Sequence, residues 1–475
     1  MISTRLGTVT TSEAYDVVVL GAGPAGENAA DYALRNSDRT ALLIERHLVG
    51  GECSYYACMP SKALLRPLDV RTAAENLGGL PDSVPLSVPA LLARRDEWVS
   101  SYNDAGQVRW AADAGIEVAR GVGRLCGERQ VQVRGEDSVR EITARQAVVV
   151  ATGSTPVMPE GFAELHPWTS RDATGVQEVP SSIAVVGGGV VAAEAALWLA
   201  GLGAQVTMLV RGDRLLSRFE AFAGELVTAG LQRAGVEVRF GAEAFPLGRE
   251  HPMPTGLGRV HGGAVRVAVA GEELTYAELL VATGRRPALA DVGLESIGLD
   301  PKGIVDPGRR PDWLYVVGDA SGEAPLTHWG KYAARLTGDR IAAKADGRPA
   351  PQPPADVPVP QVVFTDPQVA SVGLTEDAAV RDGWEVETAE VDLANAAGFG
   401  LLRDDAAGRA KLVLDATSGR VVGATFVGTE VAELLHAATV AIVGRLTVDQ
   451  LWHAVPAYPT ASEIWLRLLD GHRSH

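Results

Sequence analysis

The chain has 475 residues, 46% of them hydrophobic and 53 of them glycine, and a formal net charge of −16 at pH 7. That much negative charge excludes a nucleic-acid partner, whose phosphates it would repel, and no apolar run approaches the ~20 residues that span a bilayer, so no membrane partner is expected. The length predicts roughly three domains of a globular α/β protein, and three cysteines without secretory features predict a reducing cytoplasmic setting.

The opening "MISTRLGTVTTSEAYD" is polar and lacks the apolar core of a signal peptide, so residues 1–14 are expected to be a disordered extension. Next comes "YDVVVLGAGPAGENAADYAL", an apolar strand, the pattern Gly21-x-Gly23-x-x-Gly26, and a helical stretch. Gly21 permits a tight turn, Gly23 lets a pyrophosphate approach the backbone, with Pro24 and Ala25 beside it, and Gly26 allows close helix–strand packing. The following strand, "TALLIER", ends in Glu45, placed to bond an adenosine ribose.

"GGECSYYACMPSKALLRP" follows, with Cys53 and Cys58 behind Gly51. A zinc site needs four nitrogen or sulfur ligands, and the remaining cysteine, Cys126, has no Cys or His close by. No metal site is expected. A structural crosslink over so short a loop removes little chain entropy. Five residues of regular helix rise about 7.5 Å, beyond the Cα separation a disulfide tolerates, so a bridge requires a distorted turn, with helix resuming around Ser61. Thiols near a helix N-terminus with Lys62 close by are expected to have depressed pKa values. A redox pair is favoured. Cys126, in "GRLCGERQVQVRG", reads as a buried, inert thiol.

The nucleotide pattern recurs in "SSIAVVGGGVVAAEAALWLAGLGAQVTMLVRGDRLLSRFE", where Gly187-x-Gly189-x-x-Ala192 opens a helix. The acid expected after its second strand is replaced by Val210 and Arg211, with Arg214 and Arg218 behind. Guanidinium groups attract a 2′-phosphate, so this site is expected to take NADPH in preference to NADH. Two dinucleotide folds imply two dinucleotides, and FAD is the natural acceptor of the nicotinamide hydride.

"AVVVATGSTP" and "ELLVATGRRP" mirror each other, marking Thr152, Gly153 and Gly284 as chain exits from one nucleotide domain into the next. In "WLYVVGDASGEAPLTHWGK", Gly318 and Asp319 follow a buried strand. Asp319 is expected to bond flavin ribityl hydroxyls while opening the helix that follows as its N-cap. A proline-rich linker, residues 344–361, leads to strand and helix patterns without a nucleotide motif. The predicted fold is α/β: two Rossmann-like dinucleotide-binding domains, for FAD (15–155 and 281–350) and NAD(P)H (156–280), plus a C-terminal α+β domain of different purpose (351–475).

From Tyr15 to about Leu469 the chain resembles the flavoprotein disulfide reductases, which include glutathione reductase, dihydrolipoamide dehydrogenase and mercuric reductase. "GGECSYYACMPSK" matches the family segment G-G-x-C-x4-C-x-P-[ST]-K. The resemblance implies that Cys58 lies against the flavin as the charge-transfer thiol and that Cys53 is the interchange thiol. It implies a Lys62–Glu194 pair beside flavin N5, where positive charge stabilises the reduced ring. It also implies a homodimer whose active sites are shared between subunits.

The chain departs from the family at "PAYPTASEIW": Tyr458 stands where thiol-forming members carry an acid–base His, and Glu463 keeps its place. A phenol of pKa near 10 is no general base near neutrality. Tyr at this position resembles mercuric reductases and related bacterial stress-response flavoproteins, but the cysteine-free end "LLDGHRSH" lacks their C-terminal pair. His472 and His475 there, His453 and His328 read as ordinary histidines. Tyr55 and Tyr56 either line the substrate approach or pack beside the flavin, and Val190 stands where glutathione reductase has a gating Tyr. The expected activity is transfer of electrons from NADPH through FAD to a Cys53–Cys58 disulfide and on to a small or activated disulfide. A metal ion or quinone as acceptor, and a low-turnover flavin-binding redox sensor, are the alternatives.

Overall fold

The computed structural model describes residues 10–473. Its contacts divide the chain into two units, each assembled from separate stretches of sequence.

The first unit comprises the chain up to Met59, Asp96–Val157 and Arg285–Ala355. Its parallel strands lie in the order Ile116–Arg120, Ala41–Glu45, Thr10–Leu20, Val139–Val150, with Leu314–Val316 also pairing on Val139–Val150. Val17 and Val19 feed one core, Val18 and Leu20 another. The strand is therefore buried on both faces, which explains its unbroken apolar run. The Pro24–Leu34 helix returns tightly over it: a Cβ on Gly26 would lie 2.0 Å from the Gly21 carbonyl oxygen.

Two expectations change here. Residues 1–9 lie outside the described residues, but Thr10–Ala14 are strand rather than extension. Thr10 pairs with Arg140 and Glu13 with Ile142, because the long Val139–Val150 strand supplies their backbone partners. Asp319 lies in a 3-10 turn, Gly318–Ser321, and does not cap the next helix, which starts at Thr327 after an intervening loop. The two mirrored exits meet as a short antiparallel ribbon, Ser154–Pro156 against Arg285–Pro287. The hydroxyl of Thr152 donates to the carbonyl of Ala288 at 2.8 Å, holding it shut.

The second unit comprises Pro60–Arg95, Met158–Gly284 and the chain from Asp356 onward. Its parallel sheet runs Glu237–Phe240, Gln205–Val210, Ser182–Val186, Glu278–Val281, again with Ile183 and Val185 facing one core and Ala184 and Val186 another. A five-stranded antiparallel sheet, residues 361–428, carries the C-terminal helices. The two parts pack closely, since a Cβ on Gly230 would meet the Asp366 carbonyl oxygen at 2.0 Å. Lys411 links them, bonding Glu220 at 3.2 Å and also pairing with Glu376.

Residues 60–95, read from sequence as part of the first nucleotide domain, group with this second unit. Leu64, Leu65, Leu68 and Leu91 share a core with Trp168, Trp198 and Leu199. The guanidinium of Arg95, 1% exposed, donates to the carbonyls of Thr174 and, at 2.8 Å, Val176. The boundary falls inside the Cys58–Glu75 helix.

In the first unit the Thr327–Ala345 helix lies against the Pro24–Leu34 helix through Gly338, where a Cβ would stand 2.6 Å from Tyr32 Cβ and 2.7 Å from the Ala29 carbonyl oxygen. Alanine there gains up to ~1 kcal/mol of helix propensity but overpacks the contact by about 1–3 kcal/mol. Gly338→Ala should therefore lower the melting temperature in a thermal scan, and an unchanged or higher value would mean that the helices separate freely.

Candidate active site

In the first unit the glycine turn is shaped for close approach. Gly21 has φ +101°, and a Cβ there would meet the Ala151 carbonyl oxygen at 2.4 Å. Gly23 and Gly51 face each other: a Cβ on Gly51 would stand 2.7 Å from Gly23 Cα, while one on Gly23 meets nothing nearer than Gly51 Cα at 3.8 Å. The helix that starts at Pro24 points its amide groups into this bare backbone gap, a cradle that fits a dinucleotide pyrophosphate. Glu45 accepts from the amides of Ala22 at 2.9 Å and His47 at 2.8 Å. Both its oxygens thus brace the turn and keep further lone pairs for a ribose.

Glu27, in the first turn of that helix, has a buried Oε1 that meets no donor among the described residues. Burial above all, with the charge of Glu45, pushes its carboxyl up to about 7, against the pull of Lys331. A protonated Glu27 does not oppose a pyrophosphate.

Cys53 lies in the short Gly51–Tyr55 helix and Cys58 opens the Cys58–Glu75 helix. The distorted turn is thus present, but helix resumes at Cys58, three residues before the expected Ser61. Neither sulfur is in a disulfide. The sulfur of Cys58 lies 3.2 Å from the Thr327 hydroxyl. The Cys53 thiol is pushed up, first by its hydrogen bond to Cys58 and then by burial, against Thr327 and Lys331. The depression expected from the helix end does not reach Cys53, because the neighbouring sulfur and the loss of solvent outweigh it. Tyr55 is a core residue, 1% exposed, with its hydroxyl 3.0 Å from Gln107 Oε1. Tyr56 stacks on Tyr102 at 5.4 Å between centroids.

Three residues that the motif reading passed over complete this part of the unit. Arg285 Nη2 donates to Glu52 Oε2 at 2.6 Å, and its Nε donates to Ser154 Oγ at 2.7 Å. The Ser154 hydroxyl in turn donates to Asp319 Oδ2 at 2.6 Å. The repeated Ala-Thr-Gly exits were the available signal, since Ser154 and Arg285 each follow one directly.

In the second unit Gly187 has φ +134°, with a Cβ blocked at 2.4 Å by the Ala282 carbonyl oxygen, while a Cβ on Gly189 would meet open space. Val190 starts the helix, half-buried. Val210 is buried at its strand end and Arg211 is exposed beyond it. The loop turns back through the Leu216 amide, which donates to the Gly188 carbonyl at 2.9 Å. Glu194 is 4% exposed, bonded to Lys62 Nζ at 2.7 Å and to the Phe364 amide at 2.9 Å. Lys62 also stands 4.6 Å from the centre of the Phe364 ring. A solvated helix charge is excluded.

Near the C-terminus Tyr458 is 76% exposed, whereas Glu463 is buried and bonded to the Ala397 amide at 3.2 Å and to Arg467. His453 is exposed, and His472 stands 3.8 Å from Glu387; His475 lies outside the described residues. Cys126 corrects the reading of a buried thiol. It is exposed because Leu125 takes the inward position of the alternating strand Val122–Gly127. What cover it has, followed by the charge of Glu141, pushes its thiol up. No helix of the described residues is long and apolar enough to cross a membrane.

Two glycine cradles, a thiol pair and a lysine bonded to a buried carboxylate define an FAD- and pyridine-nucleotide-dependent oxidoreductase. The family model for pyridine nucleotide-disulphide oxidoreductases matches residues 15–334, and the model for the dimerisation domain of these enzymes matches residues 359–468. The chain belongs to the pyridine nucleotide-disulphide oxidoreductase family, as an FAD-dependent NAD(P)H oxidoreductase with a C-terminal dimerisation domain. It is 32% identical over 471 residues to the dihydrolipoyl dehydrogenase of Chlorobaculum tepidum, covering 96% of each chain. It is 33% identical over 469 residues to the mercuric reductase of Shigella flexneri, covering 95% of this chain and 80% of that one. Among solved structures, the Cu(II) complex of the HOCl-induced flavoprotein disulfide reductase RclA from Escherichia coli superposes with a TM-score of 0.81 at 21% identity, covering 96% of this chain and 99% of that one. LpdA from Mycobacterium tuberculosis gives 0.79 at 24%, covering 97% and 99%. These two share the fold.

The buried Glu27 carboxyl gives a pH signature. Unfolded, it titrates near the ordinary value of 4.5; folded, it holds its proton to about 7. Its contribution to stability is complete below pH 4.5 and is lost as pH rises through 7, by roughly 3 kcal/mol. Glu27→Gln should therefore gain on the wild type in melting temperature from pH 5 to 8. Parallel curves for the two proteins would place the carboxyl in solvent.

Proposed function

We propose that the protein is an NADPH-dependent reductase of a small or activated disulfide, working through Cys53 and Cys58. The observation that carries this reading is the interrupted helix, which sets two thiols on either side of a break and the Thr327 hydroxyl against Cys58. FAD, when bound, supplies the two-electron relay between the nicotinamide and the thiols.

The bare backbone of Gly21, Gly23 and Gly51, with Pro24, Ala25 and Gly26, holds the FAD pyrophosphate, and Glu45 takes the adenosine ribose. Thr152, Gly153, Gly284, Gly318 and Asp319 line the rest of the flavin site. Gly187 and Gly189 receive the nicotinamide dinucleotide, and Arg211 its 2′-phosphate. Lys62, fixed by Glu194, places an ammonium group beside the flavin. Two electrons and two protons open the Cys53–Cys58 bond to the dithiol. The Cys53 thiolate then attacks one sulfur of the acceptor disulfide and expels the other as a thiolate. Cys58 displaces the acceptor's bound half as a second thiol and restores the protein disulfide. In a homodimer, Tyr458 of one subunit, a solvent-facing phenol, meets the acceptor at Cys53 of the other and hydrogen-bonds it. Glu463 shapes the segment through Ala397 and Arg467.

A second reading keeps the scaffold and changes the acceptor to a metal ion or quinone. The phenol at Tyr458, in place of an imidazole base, favours it, as does kinship with a mercuric reductase. Turnover of wild type and Cys53→Ser against disulfides, mercuric or cupric ion and quinones separates the readings. Disulfide turnover that disappears in the variant is expected; quinone turnover alone, surviving the substitution, would defeat the dithiol mechanism.

Arg211 generates a cofactor prediction. One charge-assisted hydrogen bond is worth about 1.5–3 kcal/mol, so Arg211→Ala should raise the KM for NADPH roughly ten- to hundredfold and leave that for NADH nearly unchanged. Steady-state kinetics with both cofactors check this, and equal use of both by the wild type would contradict it.

A further inference from the structure

Glu52 occupies the open position of the G-G-x-C segment, beside Cys53 on the Gly51–Tyr55 helix. Its carboxylate is held by Arg285 at 2.6 Å, with side-chain exposures of 22% for Arg285 and 30% for Glu52. Arg285 is fixed at two further points, its Nε on Ser154 Oγ at 2.7 Å and its Nη2 on the Ser154 carbonyl at 2.8 Å. From Ser154 the chain of donors ends on Asp319 Oδ2 at 2.6 Å. The donor direction is fixed throughout, because a guanidinium only donates and a carboxylate only accepts. A half-buried arginine with three such bonds is rigid, so its charge acts at a defined place.

Without Glu52, the positive charge of Arg285 would offset the negative charge of Asp319, to which Ser154 links it. With Glu52, the guanidinium is neutralised and the group as a whole keeps the negative charge of Asp319. A reduced flavin gains negative charge, and nearby positive charge stabilises it. We propose that Glu52 is a positioning residue that pins and neutralises Arg285, and so holds down the reduction potential of the flavin bound against Asp319. The inference rests on the reading that Asp319 faces the flavin.

The test is a dye-coupled redox titration of flavin-loaded protein in the Cys53→Ser background, where no disulfide competes for electrons. Glu52→Gln should shift the ratio of reduced to oxidised flavin about tenfold toward reduced at a fixed poise, about 30 mV for a two-electron couple. Arg285→Gln should shift it the opposite way. The double variant, which removes both charges, should return near the starting value. A merely structural salt bridge would lower the melting temperature of all three variants and leave the potentials together. Potentials unmoved in flavin-loaded Glu52→Gln overturn the proposal. If that variant retains no flavin, an unmoved potential in Arg285→Gln overturns it instead, and loss of flavin from both assigns the pair to cofactor retention and overturns it as well. Absence of one bound FAD per chain before any substitution would instead refute the reading on which it rests.

Discussion

One backbone constraint underlies the whole arrangement: the helix that starts at Gly51 must stop before the helix that starts at Cys58. An unbroken α-helix would hold Cys53 and Cys58 about 7.5 Å apart along its axis, too far for a disulfide. Stopping at Tyr55 and restarting at Cys58 removes that limit. Pro60 in the first turn of the new helix costs little, because the amide it lacks has no partner there. Lys62 then falls about one turn beyond Cys58 on the same helix, and its partner Glu194 is held from the second side by the Phe364 amide.

Charge is handled in two ways around these helices. Glu194 and Glu463 are buried, and each is bonded to a cation and a backbone amide. Such pairs add little net stability once desolvation is counted, and their effect is to fix geometry. Glu27 is half-buried and makes no salt bridge among the described residues, and burial outweighs the pull of Lys331 and raises its affinity for the proton. The chain thus keeps formal charge where a side chain must be held still and suppresses it at the turn where a pyrophosphate would enter.

The parts legible in the sequence were those with local physical causes. Glycine turns, doubly buried strands and the cysteine spacing each depend on a few consecutive residues. The apolar sequence around Glu194 announced its burial, because an acid inside "VVAAEAALWLA" needs a partner. The misreadings have non-local causes. Thr10–Ala14 became strand through a partner more than a hundred residues away. Residues 60–95 changed unit because Leu64 and Leu68 pack on Trp168 and Trp198. The group of Glu52, Ser154, Arg285 and Asp319 draws on four separate elements, and only the Ala-Thr-Gly before Ser154 and Arg285 links any two of them in sequence. Cys126 was misplaced by one step of a two-residue alternation, where a single shift exchanges inside for outside.

The same geometry bears on the missing base. With Tyr458 exposed and Glu463 already bonded, the C-terminal segment of one chain offers a hydrogen-bond donor and no free carboxylate. Proton management on the proposed reading then falls to the thiols themselves. The Cys53 thiol resists ionisation while Cys58 holds its hydrogen bond, so Cys53 becomes a better nucleophile as that bond is given up. An acceptor whose leaving group needs no protonation suits such a site, because a phenol donates a hydrogen bond readily but is no imidazole-like proton shuttle. Activated disulfides and soft metal ions meet that condition, whereas an ordinary dialkyl disulfide, which expels a basic thiolate, meets it poorly. On that reading, Tyr458 selects the acceptor by the acidity of its leaving group rather than by its shape.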